Sequence, residues 1–310
     1  MTSGRTPESA AVPAPVPAQE PTPPGVVVVD KPAGCTSHDV VARLRRLART
    51  RKVGHAGTLD PMATGVLVVG VNRATRLLGH LSLTDKGYDA TIRLGESTLT
   101  DDAEGELLAR ADASGVPDED LANAVAALTG RIEQVPSAVS AVKVEGSRSY
   151  ERVRRGERVQ LEARPVEVSA FEVQDTRRQG AVVDVDVQVE CSTGTYVRAL
   201  ARDLGAALGV GGHLTRLRRT RVGGFDLAQA RTLEELERGL HLVPLTEVAR
   251  HSFPTFAATA EQADRVRHGG ALGGTGLGAA GPVAVLTPAG EFLALYEQRG
   301  QDAVAVAVFV

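Results

Sequence analysis

The chain has 310 residues, 43% hydrophobic and 3% aromatic with no tryptophan, and a formal net charge of -3. That supplies a core of Val, Leu and Ala for one large domain plus a small one, and it excludes a uniformly basic nucleic-acid binder, so any RNA surface must be local. Cys35 and Cys191 lie far apart, in no C-x-x-C or paired-histidine spacing. This excludes a structural zinc site and fits reduced buried thiols of a cytoplasmic protein. No apolar run reaches the ~20 residues of a bilayer span, and the N-terminus lacks the basic-then-apolar pattern of a signal peptide.

Residues 1–24, rich in Pro, Ala, Thr, Ser and Glu, are expected to be a disordered tail. Val26–Val29 predicts an apolar strand, closed by the turn cluster Asp30-Lys31-Pro32-Ala33-Gly34. Ser37 is expected to cap a helix whose apolar face carries Val40, Val41, Leu44, Leu47 and Ala48. Arg43, Arg45, Arg46 and Arg49 take the other side, followed by Arg51 and Lys52, a surface suited to phosphates. His38, beside the cap, is given no role.

The next stretch, Gly54-His55-Ala56-Gly57-Thr58-Leu59-Asp60-Pro61-Met62-Ala63-Thr64-Gly65, cannot be a regular helix or strand, with its three glycines and a proline. Asp60 is held extended before Pro61, on a stiff loop backed by the apolar run Val66–Val69. A short helix through Leu77–Leu81 follows. Tyr88, Ala90, Ile92 and Leu94 then alternate with Asp89, Thr91 and Arg93 as a half-buried strand does. Residues 95–117 are polar and acidic without the order of a calcium loop, and read as a solvated excursion. Leu121, Val125 and Leu128 predict a helix ending at Gly130. Val166–Val173 and Val182–Cys191 predict strands. The second leads through Ser192-Thr193-Gly194-Thr195 into a helix, presenting Tyr196 and Arg198 at the junction. Arg216, Arg218, Arg219 and Arg221 read as a second basic patch. From about residue 250 three short strands are expected, at Pro282–Leu286, Phe292–Tyr296 and Val304–Val308. Gly276-x-Gly278-x-x-Gly281 precedes a strand instead of following one, so it is rejected as a dinucleotide site.

Several segments together resemble the TruB-type tRNA pseudouridine synthases. GHAGTLDPMATG at 54–65 is similar to the family pattern G-H-x-G-x-L-D-P-x-A-x-G, and KPAGCTS at 31–37 to K-P-x-G-x-T-S. KGY at 86–88 is similar to K-x-Y, CSTGTYVR at 191–198 to C-S-x-G-T-Y-x-R, and GVGGHLTRLRRT at 209–220 to G-x-x-A-H-x-x-x-L-R-R-T. The segment Pro136–Tyr150 resembles a further family motif, with Ser137 where many members have a second proline.

The resemblance implies an α+β fold, a mixed, largely antiparallel sheet flanked by helices, in a catalytic domain over 25–249. It also implies a small β-rich PUA-like module over 250–310. It implies a monomer that isomerises uridine 55 in the T-arm of tRNA to pseudouridine, with no cofactor, no metal and no membrane. By the same resemblance Asp60 is the catalytic nucleophile, Arg198 its ion-pair partner, Tyr88 the ring that stacks on the uracil and Leu217 a contact to the base, while His55 contacts the flipped nucleotide or fills the gap it leaves in the loop, and Tyr196 lines the pocket and holds Tyr88 or the base. Pairing with Arg198 is expected to hold Asp60 below the ~3.9 of a free aspartate. The alternatives are a tRNA-binding folding module with a silent site, against which the Asp60, Tyr88 and Arg198 set argues, and a carboxylate glycosidase, which needs a paired acid that no motif supplies.

Overall fold

The structure is a computed structural model that describes residues 21–137 and 161–310, with the backbone alone of 143–144 and 147–148. Most of the expected tail and most of the Pro136–Tyr150 segment therefore lie outside the described residues.

In chain order the elements are β1 (Gly25–Lys31), α1 (Ser37–Leu47), β2 (Val53–His55), β3 (Thr64–Val71), α2 (Leu78–Ser82), β4 (Lys86–Leu94), β5 (Glu96–Thr98), β6 (Leu107–Arg110), α3 (Asp118–Ala127) and β7 (Gly130–Gln134). There follow β8 (Lys143–Val144), β9 (Ser147–Arg148), β10 (Arg164–Gln179), β11 (Val182–Cys191), α4 (Val197–Ala207), β12 (Gly212–Val222), β13 (Phe225–Asp226), α5 (Leu233–Arg238), β14 (Val243–Pro244) and α6 (Leu245–Ser252). The C-terminal part holds β15 (Thr255–Ala257), α7 (Ala260–Arg267), β16 (Val283–Leu286), β17 (Phe292–Arg299) and β18 (Asp302–Val308).

The large sheet runs β14-β1-β3-β12-β4-β11-β10-β7, with β2 paired to β3 and β13 to β12. Its pairings are antiparallel except for β3 with β12, which is parallel. A second sheet has the order β15-β16-β17-β18. The class is α+β, as expected.

Burial explains the continuous valine runs. Val27, Val29, Leu67 and Val69 point into a core shared with α1 and α4, through Val40, Leu44, Leu200 and Leu204. Val26, Val28, Val66 and Val68 point the other way, into a core completed by Ala284, Leu286, Phe292, Leu295 and Phe309 of the C-terminal part. A strand covered on both faces has no reason to alternate with polar residues. The same contact fixes the C-terminal sheet: Arg73 donates to the carbonyl of Phe309 at 2.9 Å, and Arg76 to that of Val308 at 2.9 Å.

The parallel contact of β3 with β12 depends on Gly65. Its φ is +100°, and a Cβ there would stand 2.2 Å from the carbonyl oxygen of Arg219. Only glycine permits that approach. It brings Arg219 of β12 against the loop that carries Asp60.

Candidate active site

The Asp60 loop is stiffer than its glycines and proline require. The α1 cap is Thr36, one residue before the expected Ser37; its hydroxyl accepts from Asp39 N while Asp39 bonds back to Thr36 N at 2.8 Å. Ser37 is thereby released for another task. Its buried hydroxyl accepts from Leu59 N at 2.9 Å and donates to Leu59 O at 3.0 Å, tying the start of α1 to the loop. The Lys31 ammonium, fully buried at the end of β1, donates to the carbonyls of Cys35 (2.7 Å), Pro32 (2.9 Å) and Pro61 (3.3 Å). The Arg219 guanidinium, 1% exposed, donates to Val66 O (2.7 Å), Gly57 O (3.2 Å) and Thr58 O (3.2 Å). Ala63 N takes up the carbonyl of Asp60 itself at 3.1 Å. Every carbonyl from Gly57 to Pro61 thus accepts a hydrogen bond. Two buried cations would be costly if unpaired, and their donors tie this loop to the 31–35 turn and to β3.

Arg198, in the first turn of α4, reaches Asp60 as a fork, Nε to Oδ2 at 3.0 Å and Nη2 to Oδ1 at 3.3 Å. Its Nη1 donates to Thr100 O at 2.9 Å and meets Asp102 Oδ2 at 3.3 Å. Asp102, in turn, accepts from the Thr100 hydroxyl and from Glu104 N. The guanidinium is therefore held in plane between two carboxylates, the geometry for which Arg is suited and Lys is not. The side chains of Arg198 and Asp102 are 6% and 4% exposed, whereas that of Asp60 remains 34% exposed. One carboxylate is locked away and the other presents an open edge.

The electrostatics depart from the expectation that Arg198 would hold Asp60 below the free value. Burial pushes the Asp60 carboxyl above its ordinary range; Arg198 draws it back down, Asp102 adds to the rise and Lys31 opposes it. The Arg198 ion pair limits the penalty without cancelling it.

Asp60 and Arg198 open onto a cavity of about 570 Å³, also lined by Tyr88, Tyr196, Leu217 and Lys86. Tyr88 is carried on β4, and Leu217 on the adjacent β12, opposite Ala90. Tyr196 precedes α4, its backbone clamped by Gln134: Tyr196 N donates to Gln134 Oε1 at 2.8 Å and Gln134 Nε2 donates to Tyr196 O at 3.1 Å. Burial raises the Tyr88 phenol, with Arg219 as its hydrogen-bonding neighbour, so the hydroxyl stays protonated. Lys86 donates to Ser82 O and Thr84 O, and burial lowers its ammonium to about 8. His55 closes β2 and is not among the cavity-lining residues; it touches them through His38. Among the described residues no group of three or more His, Cys, Asp or Glu is placed to hold a metal ion.

Sequence reasoning missed four parts of this site. Asp102 lies in the stretch read as a solvated excursion, yet it is buried against Arg198. Lys31 and Lys86 carry no sequence signal of a buried role beyond their places in a turn and in the KPAGCTS and KGY motifs. Arg219 was placed in a basic patch that the fold dismantles. Arg218 donates two hydrogen bonds to Asp30, at 2.7 and 3.0 Å, Arg221 pairs with Glu190, Arg219 is buried, and Arg216 alone of the four is exposed. The available signal for Asp102 was the T-x-D spacing of Thr100 and Asp102, a side-chain turn with no solvation need of its own.

Known proteins resemble this chain along nearly its whole length. The TruB family pseudouridylate synthase N-terminal domain matches residues 45–197, the tRNA pseudouridylate synthase B C-terminal domain 198–247, and the tRNA pseudouridine synthase II C-terminal domain 253–310. A tRNA pseudouridine synthase B of Streptomyces griseus is 56% identical over 94% of this chain and 99% of its own length, and one of Thermobifida fusca is 58% identical over 92% and 98%. Among solved structures, a chain of a Cbf5-Nop10-Gar1 complex aligns with a TM-score of 0.70 and 29% identity, over 92% of this chain and 85% of that one. With relatives this close along nearly its whole length, and a forked aspartate at the mouth of an aromatic cavity, the chain belongs to the TruB family of pseudouridylate synthases.

Proposed function

We propose that this enzyme converts uridine 55 in the T-arm of tRNA to pseudouridine, acting in the cytoplasm as a monomer, with residues 25–249 as the catalytic unit and 250–310 as a PUA-like module. The N1–C1′ bond breaks, the uracil turns, C5 bonds to C1′, and the proton lost from C5 is balanced by one gained at N1. The net change is an isomerisation that needs neither redox equivalents nor added energy. The observation that carries the reading is the Asp60 carboxylate, forked by Arg198 and left open on the cavity side. Asp60 attacks as an ionised nucleophile, as carboxylates do in retaining glycosidases. Tyr88 stacks on the flipped uracil, Leu217 and Tyr196 confine it, and His55 contacts the nucleotide. Asp102 cannot serve as a glycosidase's general acid, because Arg198, the Thr100 hydroxyl and Glu104 N engage it as an acceptor. An isolated T-arm stem-loop should be converted at nucleotide 55; a product at another uridine of the same stem-loop would overturn the choice of nucleotide.

RNA contact is assigned to the end of α1. Arg43 is taken up by Glu237, but Arg46, Arg49, Arg51 and Lys52 are exposed and have no ion-pair partner among the described residues. Replacing Arg46 and Arg49 with glutamine should weaken tRNA binding and reduce the slope of log K against log salt by about 0.9 per lost phosphate contact. An unchanged slope would show this face to be merely solvated.

A further inference from the structure

His38 is an exposed residue of α1 with a ring on the cavity wall. That ring meets the His55 ring edge to face, with centroids 5.6 Å apart and planes at 86°. His55 needs such a neighbour. Its Nδ1 is buried and has no hydrogen-bond partner, so nothing bonded to that nitrogen fixes the ring plane. Burial lowers its basicity, the neighbouring His38 adds to the fall and a hydrogen bond to the Gly57 backbone opposes it, so the ring stays neutral and is not anchored by charge. His38, by contrast, stands on a fixed frame. The preceding Thr36 carries the helix capping box, and Ser37 is bonded twice to Leu59 of the catalytic loop. His55 is fixed along its backbone by pairing with Val69 of β3. The contact therefore joins two rigid elements through two side chains.

We propose that His38 is a positioning residue for the reaction: its ring sets the orientation of His55 and transmits the cavity wall to it. This rests on the reading of His55 as a contact to the nucleotide. The edge-to-face contact specifies what is needed at position 38, namely a flat ring and not a charge or a particular donor. Phenylalanine should therefore substitute and alanine should not. Since His38 is exposed, neither change should disturb the core or the melting temperature.

The test is kcat/KM on a transcribed tRNA for the wild type, His38→Ala, His38→Phe, His55→Ala and the double alanine variant, with thermal melting of each. His38→Ala should lose about five-fold, the scale of one oriented ring pair, and His38→Phe should return to within about two-fold of the wild type. The double variant should match His55→Ala alone, because a residue that acts only through His55 has nothing left to act on. Losses that multiply, an equal deficit in the Phe and Ala variants, or wild-type rates in His38→Ala beside an impaired His55→Ala would each overturn the positioning role and leave His55 in place. A silent His55→Ala would instead remove His55 from the site, and the inference with it.

Discussion

Arg198→Met should reduce turnover by about 10³-fold, the upper end of the 10²–10³ typical of losing one neutral oxyanion donor, because one side chain serves both carboxylates. The fork to Asp60 and the contact to Asp102 disappear together. Arg198→Lys keeps a cation but can satisfy only one of the two acidic partners in good geometry, so it should retain part of the activity. The pH dependence separates charge from aim. Asp60 already titrates above the ordinary carboxylate range because burial outweighs the draw of Arg198. Removing that draw raises it further, and since the reaction needs the ionised form, the acidic limb of the single-turnover pH–rate profile should shift to higher pH. Removing the partner of buried Asp102 should also cost about 3–5 kcal/mol of stability, so rates must be compared below the variant's melting transition. Wild-type turnover with an unshifted limb would reduce Arg198 to a structural cation.

Five of the residues that line the cavity were legible. Asp60, Tyr88, Tyr196, Arg198 and Leu217 sit in ordered motifs, and all five line one cavity although they come from four separate segments. The supporting residues were not legible, for a physical reason. Burial of a charged side chain leaves no mark on local periodicity when its partners are carbonyls from elsewhere in the chain. Arg219 looks like its neighbours Arg218 and Arg221 in sequence, yet it alone points under the Asp60 loop while they pair with Asp30 and Glu190. Asp102 hides among acids such as Glu104 and Glu106 in the same way. The capping error has a similar origin: Thr36 and Ser37 are both good N-caps, and only the position of Leu59, 22 residues further on, decides which hydroxyl is needed elsewhere. The strands were easier. Alternation identified β4, and unbroken valine identified β1 and β3 as apolar strands; the structure adds that both faces are covered, one of them by the C-terminal sheet.

Asp60→Asn is the substitution on which the account turns. The amide keeps the shape of the carboxylate and an oxygen for Arg198, and removes only the charge and the nucleophile. The fold should tolerate it. For a carboxyl raised by burial, folded and unfolded chains are equally protonated below the unfolded value. As pH rises through the folded value the folded state comes to bear the cost of the charge, so at pH 7 the asparagine variant should be no less stable than the wild type. Binding should stay within about tenfold, because phosphate contacts elsewhere supply it. The decisive measurement is pseudouridine formed per tRNA under single-turnover conditions, with the variant in excess and its binding verified. The expected rate is at least about 10⁴-fold below the wild type, the scale on which losing a nucleophile operates. Stoichiometric pseudouridine at a rate near that of the wild type would contradict it.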